Sequence, residues 1–216
     1  VQYSANNTAG ATVGHGLGVV PRMILVKEST GSVNDWVVYH ASVGNTKKLI
    51  LNETNAQSID NFMNDTTPTA NVFSISDASV VNRSGSTYMA YCFAEKQGFS
   101  KFSSYIGNNS ADGTFVYTGF KPAFVMFKCA TNAANWGIYD NKRVGYNEVK
   151  NVLFPDSSNA ENADLAPIDL LSNGFKMRRN DSASDVNNKG GATYIYMAFA
   201  ENPFVTGDSA TPTTAR

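Results

Sequence analysis

Thr87-Tyr88-Met89-Ala90-Tyr91-Cys92-Phe93-Ala94-Glu95 returns near the end of the chain as Thr193-Tyr194-Ile195-Tyr196-Met197-Ala198-Phe199-Ala200-Glu201. Working backwards from this match, further pairs follow in the same order. Gly18-Val19-Val20-Pro21-Arg22-Met23-Ile24-Leu25-Val26-Lys27 answers Gly119-Phe120-Lys121-Pro122-Ala123-Phe124-Val125-Met126-Phe127-Lys128. Asp35-Trp36-Val37-Val38-Tyr39-His40 answers Asn135-Trp136-Gly137-Ile138-Tyr139-Asp140. Leu49-Ile50-Leu51 followed by Asn55-Ala56 answers Val152-Leu153-Phe154 followed by Asn159-Ala160. Phe73 answers Phe175, and Val81-Asn82 answers Val186-Asn187. An unbroken order with a slowly growing offset is the mark of an internal repeat.

Each copy reads as short runs rich in Val, Ile, Tyr and Phe, separated by Gly, Asn, Ser, Asp and Pro clusters, which is a strand-and-turn pattern. Met23 to Val26 and Tyr88 to Ala94 are apolar at consecutive positions, as in strands covered on both faces. Pro21 and Pro122 open their strands, where a missing N–H is tolerated. No stretch of a dozen residues carries a helical period; residues 160–171 are the one place with room for a helical turn or two. The expected fold is all-β, a β-sandwich built from two tandem, divergent repeat units in a pseudo-two-fold relation. The units are expected at residues 1–98 and 99–205, the second packed against the first, with 206–216 as a flexible tail. The join at 97–113 carries Phe99, Phe102 and Tyr105 and reads as a packed crossing segment.

Composition agrees and removes several functions. Hydrophobic residues make up 42% of the 216, enough for a core and too many for a disordered chain. Only 16% are charged, so polarity comes from Asn, Ser, Thr and Gly, residues that favour turns over helices. A net charge of −1 without a basic block gives no footprint for nucleic acid. No apolar run approaches the ~20 residues of a membrane helix, so membrane insertion is not expected. The chain begins at Val1 rather than Met and reads as part of something longer. Cys92 and Cys129 both sit in apolar strand runs and read as buried free thiols.

The residues that could carry chemistry are few. His15 and His40 are the two histidines; neither is accompanied by a Gly-x-Ser-x-Gly elbow, and His40 is Asp140 in the second copy. A turn residue and a strand-end residue are the expected roles. Two His and two strand-buried Cys leave no zinc set, and no calcium-loop pattern is present, so neither metal nor cofactor is expected. Asp156, Asp164 and Asp169 lie close in sequence and could in principle form a hydrolytic pair; solvated or turn-capping carboxylates are the plainer reading. Trp36 and Trp136 occupy the same repeat position, as core anchors would, although each could also be a sugar-stacking platform. Glu95 and Glu201, each just after its last strand, read as acceptors sealing a strand end.

The motifs His15-Gly16-Leu17-Gly18 leading to Pro21, Tyr91-Cys92-Phe93-Ala94-Glu95 and Gly98-Phe99-Ser100-Lys101-Phe102 form part of a wider set. It continues with Ala111-Asp112-Gly113 leading to Tyr117-Thr118-Gly119-Phe120, then Leu171-Ser172-Asn173-Gly174-Phe175-Lys176 and Tyr194 to Phe204. As a set they resemble an uncharacterised duplicated β-domain family of bacteriophage tail and tail-fibre-like proteins. The resemblance brings no catalytic or ligand residue with it. It implies a non-enzymatic, extracellular virion component, a tail fibre or receptor-binding module recognising a host-surface glycan or another virion protein. By analogy with virion fibres it also implies a homotrimer. A purely structural decoration or spacer is the first alternative and a polysaccharide depolymerase the second.

Recognition is expected where the two copies differ most, because shared positions serve the shared scaffold. The largest departures are residues 59–70 and the segment Asn141-Lys142-Arg143-Val144-Gly145-Tyr146-Asn147. The latter offers an aromatic face in Tyr146, a donor fork in Arg143 and the amides of Asn141 and Asn147, the equipment of a polar glycan surface. A solvated hairpin loop is the plainer alternative.

Overall fold

The computed structural model describes residues 1–30, 34–180, 186–203, 205–206 and 211–212. Two compact units divide between Ala94 and Glu95 rather than after Gly98. The first holds β1 (Gln2–Ser4), β2 (Ala11–Gly14), β3 (Met23–Glu28), β4 (Val37–His40), β5 (Lys47–Ile50), β6 (Ser58–Ile59), β7 (Val72–Ile75), the single helical turn α1 (Ser79–Asn82) and β8 (Thr87–Phe93). The second holds β9 (Ser100–Ile106), β10 (Phe115–Tyr117), β11 (Pro122–Cys129), β12 (Gly137–Asp140), β13 (Val149–Val152), β14 (Asn162–Leu171), β15 (Gly174–Met177) and β16 (Thr193–Ala200). The tail expected at 206–216 lies outside the described residues except where β17 (Val205–Thr206) pairs with β18 (Thr211–Pro212).

The protein is all-β, and every strand pairing is antiparallel. In the first unit one sheet runs β1-β8-β3-β4-β5-β6 and the other is β2-β7. In the second unit the sheets run β9-β16-β11-β12 and β10-β15-β14-β13. The run β1-β8-β3-β4 thus has the same order as β9-β16-β11-β12. The registers also correspond: Ile24 lies between Tyr39 and Cys92, and Val125 between Tyr139 and Ala198. In the facing sheets Val13 pairs with Phe73 and Val116 with Phe175.

Each unit closes one hydrophobic cluster between its own two sheets. Ile24, Val26, Tyr39, Tyr88 and Ala90 meet Val13, Phe73 and Ile75 in the first. Val125, Phe127, Tyr139, Tyr194 and Tyr196 meet Val116, Ile168, Leu170, Phe175 and Met177 in the second. Burying such side chains contributes roughly 1.5–3 kcal/mol each. Where the core differs between units, the differences compensate. Val26 faces Val37, but Phe127 faces Gly137. A Cβ on Gly137 would come within 2.6 Å of the Phe127 ring, so the large residue requires the small one.

Three expectations need correction. Residues 160–171 hold no helical turn: they contain the whole of β14, the longest strand among the described residues, whose buried Ala166, Ile168 and Leu170 alternate at period two. Pro167 lies inside it, and pairing with β13 is interrupted between Val149 and Asn151, where a missing N–H costs least. The 97–113 join is packed, with Phe102 and Tyr105 buried, but it packs as β9, an edge strand paired with β16 along its whole length, rather than as a crossing segment. Burial on both faces holds for β3 but not for β8, where Tyr91 is exposed and Met89, Cys92 and Phe93 are half-buried. Cys92 is therefore not fully buried, whereas Cys129 is; both thiols are free.

The two tryptophans share a position and differ in burial. Trp136 is 0% exposed. Trp36 is half-buried, its ring tilted over exposed Tyr91 at 5.9 Å. Trp136→Ala should therefore destabilise the protein by about 3–5 kcal/mol through lost contact and the cavity left behind. Trp36→Ala should cost clearly less; urea unfolding of the two variants side by side checks the difference.

Candidate functional site

The polar residues of each unit divide into those engaged in holding loops and those left free. The segment before each tryptophan is held in the same way twice. Lys27 and Lys128 donate their ammonium groups to the carbonyls of Asn34 and Ala134, each two residues before the tryptophan. The Trp36 amide donates to Asn52 Oδ1 at 2.8 Å, and the Trp136 amide to Asp156 Oδ1 at 3.1 Å. Asn52 donates to the Asp35 carboxylate, whereas Asn135 donates to the Asp156 carboxylate. Acid and amide have exchanged places while the bond is kept. Lys128 is 0% exposed, and burial pushes its ammonium down from 10.5 to about 8 against the opposing influence of Cys129 and Asp156.

The end loops are tied by an asparagine in each unit. Asn82 accepts from the amides of Asn6 and Asn7 and donates to the carbonyls of Thr8 and Ser76. Asn188 accepts from the amide of Asn108 and donates to Ser110 and Arg179 carbonyls. Tyr3 donates to the Val81 carbonyl and Tyr105 to the Asn187 carbonyl. The equivalent of Val81-Asn82 is thus Asn187-Asn188, one residue beyond the match read from the sequence.

The sequence candidates for catalysis are engaged in the same manner. His15 is buried, with Nε2 facing the Thr69 carbonyl at 3.1 Å and Nδ1 accepting from the Leu17 amide at 3.2 Å. His40 Nδ1 accepts from the Ser42 amide. Asp156 holds the Trp136 loop, Asp169 faces Arg178 Nε at 3.3 Å, and the side chain of Asp164 lies outside the described residues. Glu95 accepts from Lys101 at 2.7 Å and Glu201 from Lys121 at 2.8 Å, each carboxylate paired beside its strand end. Among the described residues no three His, Cys, Asp or Glu side chains gather as a metal would require.

The segment 141–147 separates the four residues expected to act together. Arg143 is turned inward: Nε meets Asp140 Oδ2 at 2.5 Å, another nitrogen meets Glu161, and Nη2 donates to the Ile138 carbonyl at 3.1 Å. Burial would raise the Asp140 carboxyl, but hydrogen bonds from the Arg143 side chain and backbone and the Lys142 amide hold it below the usual range. Asn147 imitates a strand residue, donating to the Leu170 carbonyl at 3.1 Å and accepting from the Leu170 amide at 2.9 Å. Tyr146 and the Asn141 side chain remain free of protein partners among the described residues. Tyr146 is 75% exposed and stands between two clefts. One, of about 90 Å³, is lined by Lys121, Asn141 and Leu170. The other, of about 520 Å³, is lined by Val144, Glu148, Lys150 and Asn151.

A third opening was not foreseen from the sequence. It measures about 470 Å³ and is lined by Glu95, Gln97, Gly98, Ser100, Lys101, Tyr117, Thr118 and Gly119. Its residues come from the start of the second unit and the end of β10, two segments that sequence comparison treats as separate motifs. The only sequence signal was negative: Tyr117 takes the outward position that Gly14 takes in the first unit.

The chain belongs to a family described as a domain of unknown function (DUF7483), which it matches over residues 1–203. No curated protein and no solved structure matches it.

The division between engaged and free residues has measurable consequences. Arg143→Ala should cost about 1–2 kcal/mol of stability, because it strips hydrogen bonds from two carboxylates and a carbonyl. Tyr146→Ala should leave stability within about 0.5 kcal/mol of the parent. Lys128 should add a pH-dependent contribution. Its folded pKa is depressed, so between about pH 8 and 10.5 the folded state binds fewer protons than the unfolded chain. That contribution is present above 10.5 and lost as pH falls through about 8. Urea titrations should therefore show the parent gaining on Lys128→Met as pH rises through this window, with a constant difference below it.

Proposed function

We propose that this chain is a non-enzymatic virion component of bacteriophage-tail type, built from a duplicated β-module, that recognises a host-surface glycan or another virion protein through its second unit. The phage placement rests on the motif set from His15 to Phe204. The recognition reading is carried by one observation: the side chains suited to chemistry are engaged in holding loops, while Tyr146 projects free between two clefts. A tyrosine presents a flat apolar face and a hydroxyl together, which suits a ligand whose rings are apolar on one face and hydroxylated at the edge. Asn141 and Lys121 beside it supply an amide and a cationic donor.

An array of bacterial lipopolysaccharide and capsular oligosaccharides is the direct test. Binding that falls about tenfold or more in Tyr146→Ala, at unchanged melting temperature, is the expected result. Binding that ignores Tyr146→Ala would remove this surface. Absence of binding to every saccharide would leave the decoration or spacer role, and release of new reducing ends from a polysaccharide would make the chain a depolymerase.

A further inference from the structure

We propose that the cleft between the 95–101 segment and the end of β10 is a second, separate saccharide site, specific for a neutral, polyhydroxylated ligand. The choice of ligand class rests on the glycan reading above, but the site itself is argued from its own residues. Its volume of about 470 Å³ falls within the roughly 300–1,000 Å³ typical of small-molecule sites.

Tyr117 forms one wall. It is 64% exposed, and its hydroxyl has no protein partner among the described residues. β10 is the edge of its sheet and alternates outward Phe115, inward Val116, outward Tyr117. The corresponding strand β2 places Thr12 and Gly14 at those outward positions around buried Val13. The aromatic is thus particular to this unit, with Gly174 facing Tyr117 where Val72 faces Gly14. The ring leans towards Gly119, whose φ of +84° and lack of a side chain leave it room.

The opposite wall is polar. The turn at 96–100 is closed by amides of Phe99 and Ser100 donating to the Lys96 carbonyl, with Gly98 at φ +70°. This presents the Gln97 carboxamide at the rim, exposed and with no protein partner among the described residues. An amide with both donor and acceptor free is matched by a hydroxyl, which is also both. Glu95 and Lys101 lie 2.7 Å apart and about one-third exposed; Glu95 Oε2 also accepts from the Phe102 amide at 3.4 Å, and the remaining ammonium hydrogens and carboxylate lone pairs form an adjacent donor and acceptor. Such a pair fits two neighbouring hydroxyls. The lining carries one positive and one negative side chain, so it selects neither anion nor cation. One apolar face, a free hydroxyl, a free carboxamide and a neutralised ion pair together describe a site for a neutral sugar ring.

The test is titration of ¹⁵N-labelled chain with the methyl glycosides of glucose, galactose and N-acetylglucosamine, followed by amide chemical shifts. Saturable shifts at Gln97, Gly98, Lys101, Thr118 and Gly119 are expected with at least one sugar. Tyr117→Ala should weaken them about tenfold or more, and Tyr117→Phe, which keeps the face and loses the hydroxyl, by less. Shifts around Tyr146 that leave the five cleft amides unmoved would overturn the second site and spare the first. Shifts at the cleft alone would uphold this proposal and remove the Tyr146 surface. No shift at either place with any of the three sugars would overturn both.

Discussion

A pair of stacked tyrosines underlies each unit. Tyr3 lies directly across from Tyr88 with ring centroids 5.4 Å apart and planes inclined by 13°. Tyr105 lies across from Tyr194 at 5.0 Å and 9°. Each stack joins an edge strand to a central strand, and each edge tyrosine also meets a phenylalanine of the facing sheet edge-on, Phe73 or Phe175. The contact therefore links both sheets of a sandwich through one side chain. Burying a phenol requires a partner for its hydroxyl. That need is met by the end loop: Tyr3 and Tyr105 donate to its carbonyls, and the hydroxyls of Tyr88 and Tyr194 accept from the amides of Arg83 and Lys189. Once the rings are stacked, the path of the loop is fixed, and Asn82 or Asn188 completes its hydrogen bonding from within.

This arrangement explains why so many polar residues are unavailable to a ligand. A sandwich end is a place where chain leaves the sheets with its amides and carbonyls unpaired, and a buried unpaired group costs about 1–3 kcal/mol. With few charged residues, the chain meets that need with Asn, Asp, Ser and Thr side chains. Abundance of such residues in the sequence is thus mainly a sign of loops being held, and only a minority is left free. Arg143 and Asn147 belong to the first group, Tyr146 and Gln97 to the second.

The sheets were legible because their signals are local. Apolar runs bounded by turn residues, and the ordered matches between copies, place the main strands near their observed positions. The misreadings arose where a tertiary partner decided the outcome. β14 carries Pro167, and apolar Leu165 and Leu171 beside its buried residues mask their period-two alternation in the sequence; its strand form follows from pairing with β13 and β15. β9 was hidden because its cross-strand partner β16 lies at the far end of the chain. The Tyr91 face of β8 reads as apolar in sequence yet is exposed. For the candidate surface, the sequence identified the segment and one of its free side chains but could not show that Arg143 folds back onto Asp140 and Glu161. It held no sign of the cleft at Tyr117, whose two walls are brought together only by the fold.

The differences between the units separate compensation from departure. Val26 with Val37 against Phe127 with Gly137 keeps a core volume; Asp35 with Asn52 against Asn135 with Asp156 keeps a hydrogen bond. In each case two residues changed together and the local structure stayed the same, as expected where a lone change would leave a void, a clash or an unpaired acceptor. The second of these was hidden from alignment because Asn52 directly follows Leu51 whereas Asp156 stands one residue further from Phe154. Phe115 and Tyr117 stand in place of Thr12 and Gly14, and here too the facing strand differs: Gly14 pairs with Val72 whereas Tyr117 pairs with Gly174, whose Cβ would come within 3.0 Å of the Phe115 ring. The two aromatics enlarge an outward face and remain exposed. Gly174 thus leaves room for Phe115 as Gly137 does for Phe127, so the outer face accommodates its large residues by the same device as the core.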